Sequence, residues 1–282
     1  MSVTGDGFDP ARRLACLPMY DIPEIARGTD RLWSGLAARL SARGVSRVPL
    51  RLTRVTDPRP VWLDNNLLMA QTCGYPFVTS LAMRVSYIGT PCYAADGCVG
   101  PRYRSWLVVH RDAFGRSLEE FRGRRAAVNS WDSLSGCKVL EMMLPRGETL
   151  DIFFSSVTIS GAHASSIDQV SRGVADIASI DCVTWALLAR HRPAVIESLR
   201  ILDAGPLLPA LPLVTAATTP AADLEALRGA IKDLLADDCS DCFDDTLIRD
   251  VSFDSERDYG EITARLSQVG VDGSGGGRRG KN

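Results

Sequence analysis

The run Ala126-Ala127-Val128-Asn129-Ser130-Trp131-Asp132-Ser133-Leu134-Ser135-Gly136-Cys137 constrains this chain more than any other stretch. Its apolar start reads as a buried strand, its small polar centre as a tight turn, and its end as the opening of a helix. The turn gathers backbone N–H groups, hydroxyls and the positive end of a helix dipole at one point, which suits an oxyanion. A second small polar turn, Ser160-Gly161-Ala162-His163-Ala164-Ser165-Ser166, also opens a helix. Together they imply one anion held between two helix starts. Neither turn carries a nucleophile beside a base, so the pair suits holding a ligand more than transforming it.

A chain of 282 residues can bury a substantial core and form one or two domains. A formal charge of -2 and 23% charged residues give no sign of a nucleic-acid partner. Lysine occurs only at Lys138, Lys232 and Lys281, which leaves few candidates for Schiff-base chemistry. The start, Met1 to Pro10, lacks the basic region and apolar run of a secretory signal. A cytoplasmic protein is therefore expected, or a periplasmic one if the start is misassigned or a signal has been trimmed. No stretch reaches the roughly 18–20 continuous apolar residues of a membrane span, so no membrane insertion is expected.

The eight cysteines are scattered, mostly in apolar contexts that suit buried free thiols. Cys239-Ser240-Asp241-Cys242 has the spacing of a redox or half-zinc motif, but no second pair or nearby histidine completes it. Cys92 and Cys98 could bridge a loop in an oxidising compartment. No metal or cofactor is expected.

Along the chain, residues 13–18, 48–52 and 67–71 read as strands. A helix capped by Thr29-Asp30 carries Leu32, Trp33, Leu36 and Leu40 at helical spacing. Glycine, proline and cysteine cluster from Gly89 to Gly100, which predicts a long connection. A second series follows: strand 105–110, helix 117–121, strand 125–129, a helix from Gly136, strand 151–154, helix 166–173, strand 175–181, helix 183–190 and strand 199–203. Helices are predicted at 221–237 and 259–268. The alternation argues for an α/β fold with largely parallel sheets covered by helices. Paired crossovers near 103–106 and 202–206 imply two lobes with a ligand cleft between them. Residues 1–104 and 205–270 would form the first lobe and 105–204 the second, with 271–282 a disordered glycine-rich tail.

These features resemble the substrate-binding component of phosphate, phosphite and phosphonate ABC transporters, which has the two-lobed type II periplasmic-binding-protein fold. The carriers are Gly74-Tyr75-Pro76, Tyr103-Arg104-Ser105, the segment Ser117 to Gly123, Ser133-Leu134-Ser135-Gly136, Gly161-Ala162-His163 and the segment Gly173 to Asp181. The resemblance implies binding of a small phosphorus oxyanion and a permease partner. It assigns the phosphoryl group to Ser133, the Leu134 N–H, Ser135, Gly136 and His163. Tyr75 and Tyr103 are similar to the family's aromatic contributors, and Asp181 falls where an acidic ligand residue often sits. This chain departs from the family at Leu134, where threonine is common. It departs again at Gly205 to Leu211, whose apolar residues lack the acid that holds a ligand amine.

Taken singly, Ser133 and Ser135 could be plain helix caps and His163 a structural residue of its own turn. Asp181 beside an anion makes sense if it accepts a proton from a singly protonated oxyanion. Tyr20 lines the cleft or lies at the surface, Asn129 could satisfy the turn's backbone, and Trp131 stands where its fluorescence would report ligand. Ligand is expected to raise the His163 pKa and take up a proton just above the free imidazole value of about 6.5. No catalytic residues are assigned: Gly-x-Ser-x-Gly, phosphate-loop and His-Glu-x-x-His motifs are missing, and neither His110 nor His191 is placed to activate Ser133 or Ser135. A cytoplasmic oxyanion sensor on the same fold is the alternative, and a small-molecule enzyme comes third.

Overall fold

The computed structural model describes residues 13–237 and 240–269. Cys239 and residues 270–282 lie outside the described residues, as do the side chains of 240–242, so the Cys239/Cys242 pair and the tail stay as sequence expectations. The described residues form twelve strands: β1 (Leu14–Cys16), β2 (Leu67–Gln71), β3 (Val85–Tyr93), β4 (Arg102–Tyr103), β5 (Ser105–His110), β6 (Arg125–Val128), β7 (Ser156–Ile159), β8 (Ile177–Asp181), β9 (Leu199–Ala204), β10 (Leu208–Pro209), β11 (Leu213–Ala216) and β12 (Ile248–Ser252). They form a first sheet in the order β1-β2-β11-β3-β12 and a second in the order β7-β6-β8-β5-β9. The short antiparallel pair β4–β10 ties the two crossings together, with Tyr103 opposite Leu208.

The largely parallel sheets expected from the sequence are mixed instead. Only β1–β2 is parallel in the first sheet, and β6–β7 and β6–β8 in the second. The physical reason lies in the crossings. β5 and β11 come soon after them without an intervening helix, so each enters its sheet from the cleft side. Each therefore runs against its neighbours.

Several local expectations also shift. The segment 48–52 is no strand, although Thr53 N–H bonds the Ala15 carbonyl at 2.7 Å and Arg13 N–H the Arg47 carbonyl at 3.2 Å. Pro49 has no N–H for a ladder between those bonds, and Leu50 points to solvent. The helix with Leu32, Trp33, Leu36 and Leu40 on its buried face begins at Ala26, after a turn opened by Pro23. Thr29 is thus inside it, donating back to the Ile25 carbonyl at 3.3 Å, and caps nothing. The first part of the connection predicted from Gly89 to Gly100 belongs to β3, which runs to Tyr93, and the rest is a connection. Gly89 is there for packing, because a Cβ would sit 2.7 Å from Val251 Cγ1 on β12. The predicted strand 151–154 is a helical turn, Leu150–Phe153, that buries Phe153. The strand comes later as β7, a mostly exposed edge with little apolar signal.

A shared apolar core joins the two halves. Tyr20, Tyr75, Tyr93, Tyr259 and Ile262 from one side pack with Leu134, Val139, Cys182, Val183 and Leu187 from the other. Among the described residues, no helix is long and apolar enough to cross a membrane.

Candidate functional site

In an α/β sheet, ligands gather outside the carboxyl ends of the parallel strands, where helix starts leave N–H groups free. That rule collects nearly all the residues singled out from the sequence. Tyr20 follows β1 and Tyr75 follows β2. Asn129 and the turn Ser133 to Gly136 follow β6, His163 follows β7, and Asp181 ends β8. Tyr103 and Ser105 enter from the crossing, with Ser105 opposite Asp181 in the β5–β8 ladder. Trp131 is the exception. It is 50% exposed and stands outside this cluster.

The first turn is wound as a π-turn, Leu134–Lys138, a loosened geometry often found at functional sites. Ser133 caps it: its hydroxyl accepts Gly136 N–H at 3.1 Å and its carbonyl accepts Lys138 N–H at 3.0 Å. Gly136 is required by space, since a Cβ would overlap Asn129 Oδ1 and lie 3.0 Å from His163 Cε1. Ser179 fixes the turn from below by donating to the Ser135 carbonyl at 2.5 Å. Leu134 is fully buried, and its N–H donates to Cys73 Sγ at 3.2 Å, across the cleft. Lys138 Nζ stands over the Tyr75 ring, 5.4 Å from its centre.

His163, Ser135 and Asp181 meet at one atom. Imidazole Nε2 is 2.8 Å from Ser135 Oγ and 3.3 Å from Asp181 Oδ2. With its proton on Nε2, the ring serves both oxygens and leaves the Ser135 O–H free to donate elsewhere. A proton relay from hydroxyl to carboxylate needs them on opposite ring nitrogens. The other Asp181 oxygen accepts Thr184 N–H at 2.8 Å and caps the helix Cys182–His191.

Burial lowers the His163 pKa, and the nearby Asp181 carboxylate only partly opposes it. Burial thus favours the neutral imidazole in the unliganded fold. The unfolded chain takes up a proton below about pH 6.5, whereas folded His163 does so only at lower pH. Stability should therefore fall as pH drops below that value, and His163→Gln should flatten the fall. Denaturant titrations from pH 7.5 to 5 measure this; parallel curves for the two proteins would rule it out.

Three buried hydroxyls here make no hydrogen bond of good geometry among the described residues: Tyr20 OH, Ser105 Oγ, and Tyr103 OH, which has the Ser135 hydroxyl near it. Burial pushes both phenols well up in pKa, and the Asp181 carboxylate adds to the shift. Tyr20 also packs edge-on against Tyr93 at 5.2 Å, whose hydroxyl accepts from Gln71 at 2.6 Å. Cys73, Tyr93, Ser105 and Ser179 were not singled out from the sequence. Ser105 and Ser179 lie within motifs already read, Tyr103-Arg104-Ser105 and Gly173 to Asp181, and Cys73 adjoins Gly74-Tyr75-Pro76, which was the available signal. Tyr93 carried none. Among the described residues no cluster of His, Cys, Asp and Glu is arranged to hold a metal ion.

A family model described as the periplasmic substrate-binding protein of phosphonate ABC transporters matches residues 69–246. No curated protein matches the chain. Among solved structures, the chain is similar to PhnD1 from Prochlorococcus marinus in complex with methylphosphonate. The identity is 15% and the TM-score 0.71, over 92% of this chain and 100% of that one. It is similar to PA3383 of Pseudomonas aeruginosa, a binding protein component of an ABC phosphonate transporter, at 13% identity and TM-score 0.69, over 92% and 96% of the two chains. It is also similar to XAC2383 from Xanthomonas citri bound to ATP, at 16% identity and TM-score 0.68, over 91% and 97%. At such identities the likeness establishes the fold, the two-lobed type II periplasmic-binding-protein architecture.

Proposed function

The chain belongs to the family of periplasmic substrate-binding proteins of phosphonate ABC transporters, and from that premise we propose that it holds a small phosphorus oxyanion between its lobes. The lobes are taken as residues 1–104 with 205–270, and 105–204. Ser133, Ser135, Gly136, His163 and, on leaving Cys73 Sγ, the Leu134 N–H would hold the phosphoryl oxygens from one side, and Tyr20, Tyr75 and Tyr103 from the other. Asp181 would accept the proton of a monoanion, which favours a singly protonated phosphonate, phosphite or phosphate over the fully ionised form. The apolar stretch Gly205 to Leu211 favours a ligand tail without an amine. A periplasmic location and a permease partner accompany this reading.

The observation that carries the proposal is the set of buried hydroxyls of Tyr20, Tyr103 and Ser105, without hydrogen bonds of good geometry, around Asp181 and the Ser133–Gly136 turn. Buried polar groups are normally paired, and an oxyanion's lone pairs would pair these. The meeting of Ser135 and Asp181 on one imidazole nitrogen supports binding without catalysis.

Thermal melts with methylphosphonate, phosphite, phosphate, sulfate and ATP test the assignment. A true ligand at 100 times its Kd should add about 2.7 kcal/mol of stability. Ser135→Ala should weaken that ligand about tenfold or more, the scale of a hydrogen bond to a charged group. If no phosphorus oxyanion shifts the melt, the assignment fails.

A further inference from the structure

Two thiols face each other where the lobes meet. Cys98 Sγ and Cys182 Sγ lie 3.4 Å apart. Cys98 sits in the turn after β3, which is anchored to the first-sheet side. There Ala94 N–H donates to the Leu247 carbonyl at 2.8 Å and Ala210 N–H to the Pro101 carbonyl at 2.9 Å. Cys182 starts the helix that follows β8 in the second sheet, and its N–H donates to the Arg104 carbonyl at 3.0 Å. The backbone enforces the approach. Gly97 has φ +94°, and a Cβ there would lie 3.0 Å from Cys182 Cβ and 2.7 Å from the Trp106 ring. The sequence had offered Cys92 as the partner of Cys98. Instead the Cys92 thiol is directed at its own strand, toward the Thr90 carbonyl at 4.0 Å.

We propose that Cys98 and Cys182 form a reversible disulfide that ties the two lobes together beside the anion site and limits their opening. The sulfurs need to close by little more than 1 Å to reach the bond length of about 2.05 Å, a movement on the scale of side-chain rotation. The oxidant is another disulfide, borne by a thiol-oxidising protein or a small molecule. Cys98 is the more exposed of the pair and reacts first. Its thiolate attacks the oxidant, forming a mixed disulfide and releasing one thiol. Contact with Cys98 and burial hold the Cys182 thiol protonated, so it passes its proton to the departing thiolate as its sulfur attacks the Cys98 sulfur, releasing the second thiol. Two protein thiols are oxidised to one disulfide as one external disulfide is reduced to two thiols. Disulfides persist in the periplasm, the compartment of this family.

The position gives the bond a consequence. Cys182 follows Asp181, whose carboxylate touches His163 and caps the same helix. The bond would hold that helix start against the first-lobe turn. It also closes a span of 84 residues, which removes freedom from the unfolded chain.

The purified, unliganded protein should be treated with oxidised glutathione or with a reductant, then compared. Oxidation should lower the intact mass by two hydrogens, yield one Cys98–Cys182 cross-linked peptide, and raise Tm by roughly 10 °C. The radius of gyration should be smaller oxidised than reduced. Cys98→Ser, at the more exposed position, should abolish all of these effects, and Cys92→Ser should leave them intact. Free Cys98 and Cys182 after oxidation, or a link through Cys92, would overturn the bond. An unchanged radius of gyration would overturn its role in limiting opening. These readouts need no ligand, so their failure would leave the anion-binding reading standing.

Discussion

Leu134→Ala should remove about 2–5 kcal/mol of stability, the range for truncating a buried leucine. Leu134 is fully buried although it sits in a polar turn at the mouth of the second sheet. Its packing partners explain that. Its Cδ2 lies 3.1 Å from where a Cβ on Gly74 would be, and Gly74 begins the turn after β2 in the other sheet. Leu134 thus inserts across the cleft, into the apolar cluster that contains Tyr75, Tyr259 and Ile262. Its truncation should weaken closure as well as the fold. Urea titration reads the stability, and solution scattering should show a larger radius of gyration for the unliganded variant. A loss below about 1 kcal/mol would mean that the site collapses around the smaller side chain and that Leu134 is no interlobe anchor. Leu134→Thr tests the same anchor. It should lose stability and, because its hydroxyl would stand among apolar side chains, weaken closure and ligand binding with it. A Leu134→Thr protein as stable and as tight-binding as wild type would show that the side chain does not anchor the lobes.

Tyr20→Phe and Tyr103→Phe should each move stability and affinity in opposite directions. Each deletes a buried hydroxyl that makes no hydrogen bond of good geometry among the described residues, while the ring that fills the space remains. Leaving such a group unpaired costs about 1–3 kcal/mol, so its removal should stabilise the unliganded protein by up to that amount. The same hydroxyls are the donors offered to an oxyanion, and a hydrogen bond to a charged group contributes about 1.5–3 kcal/mol. Each variant should therefore bind the ligand about 10- to 150-fold more weakly. Calorimetry gives the affinity and denaturant melts the stability. Variants that lose stability and affinity together would show that the hydroxyls are needed for the fold. Variants that gain stability and bind normally would show that the hydroxyls are buried away from the ligand.

What was legible in the sequence was short-range. The strand, turn and helix around Ser133 could be read because the capping residue and the N–H it accepts, on Gly136, are near neighbours in the chain. The apolar face of the Ala26–Ala42 helix belongs to the same class. Such signals depend on local geometry and on one segment's pattern against water, and both are written in consecutive residues. The antiparallel members of the sheets were not legible. β11 pairs with β2 and β3, and β12 with β3, across long stretches of chain, and β3 hid behind a glycine and a proline that usually mark a connection.

The site divides in the same way. Its turns and most of its residues could be named from order and spacing, because each stands at the end of its own strand. Tertiary structure alone decided that Ser135 and Asp181 share one nitrogen of His163, that Cys73 takes the Leu134 N–H, and that Cys98 faces Cys182 rather than Cys92. The first joins the ends of three neighbouring strands of the second sheet, and the other two join segments brought together by the crossings. A partner across the cleft is chosen by strand order and by how far two lobes close, and neither quantity leaves a periodic trace in the residues that meet there.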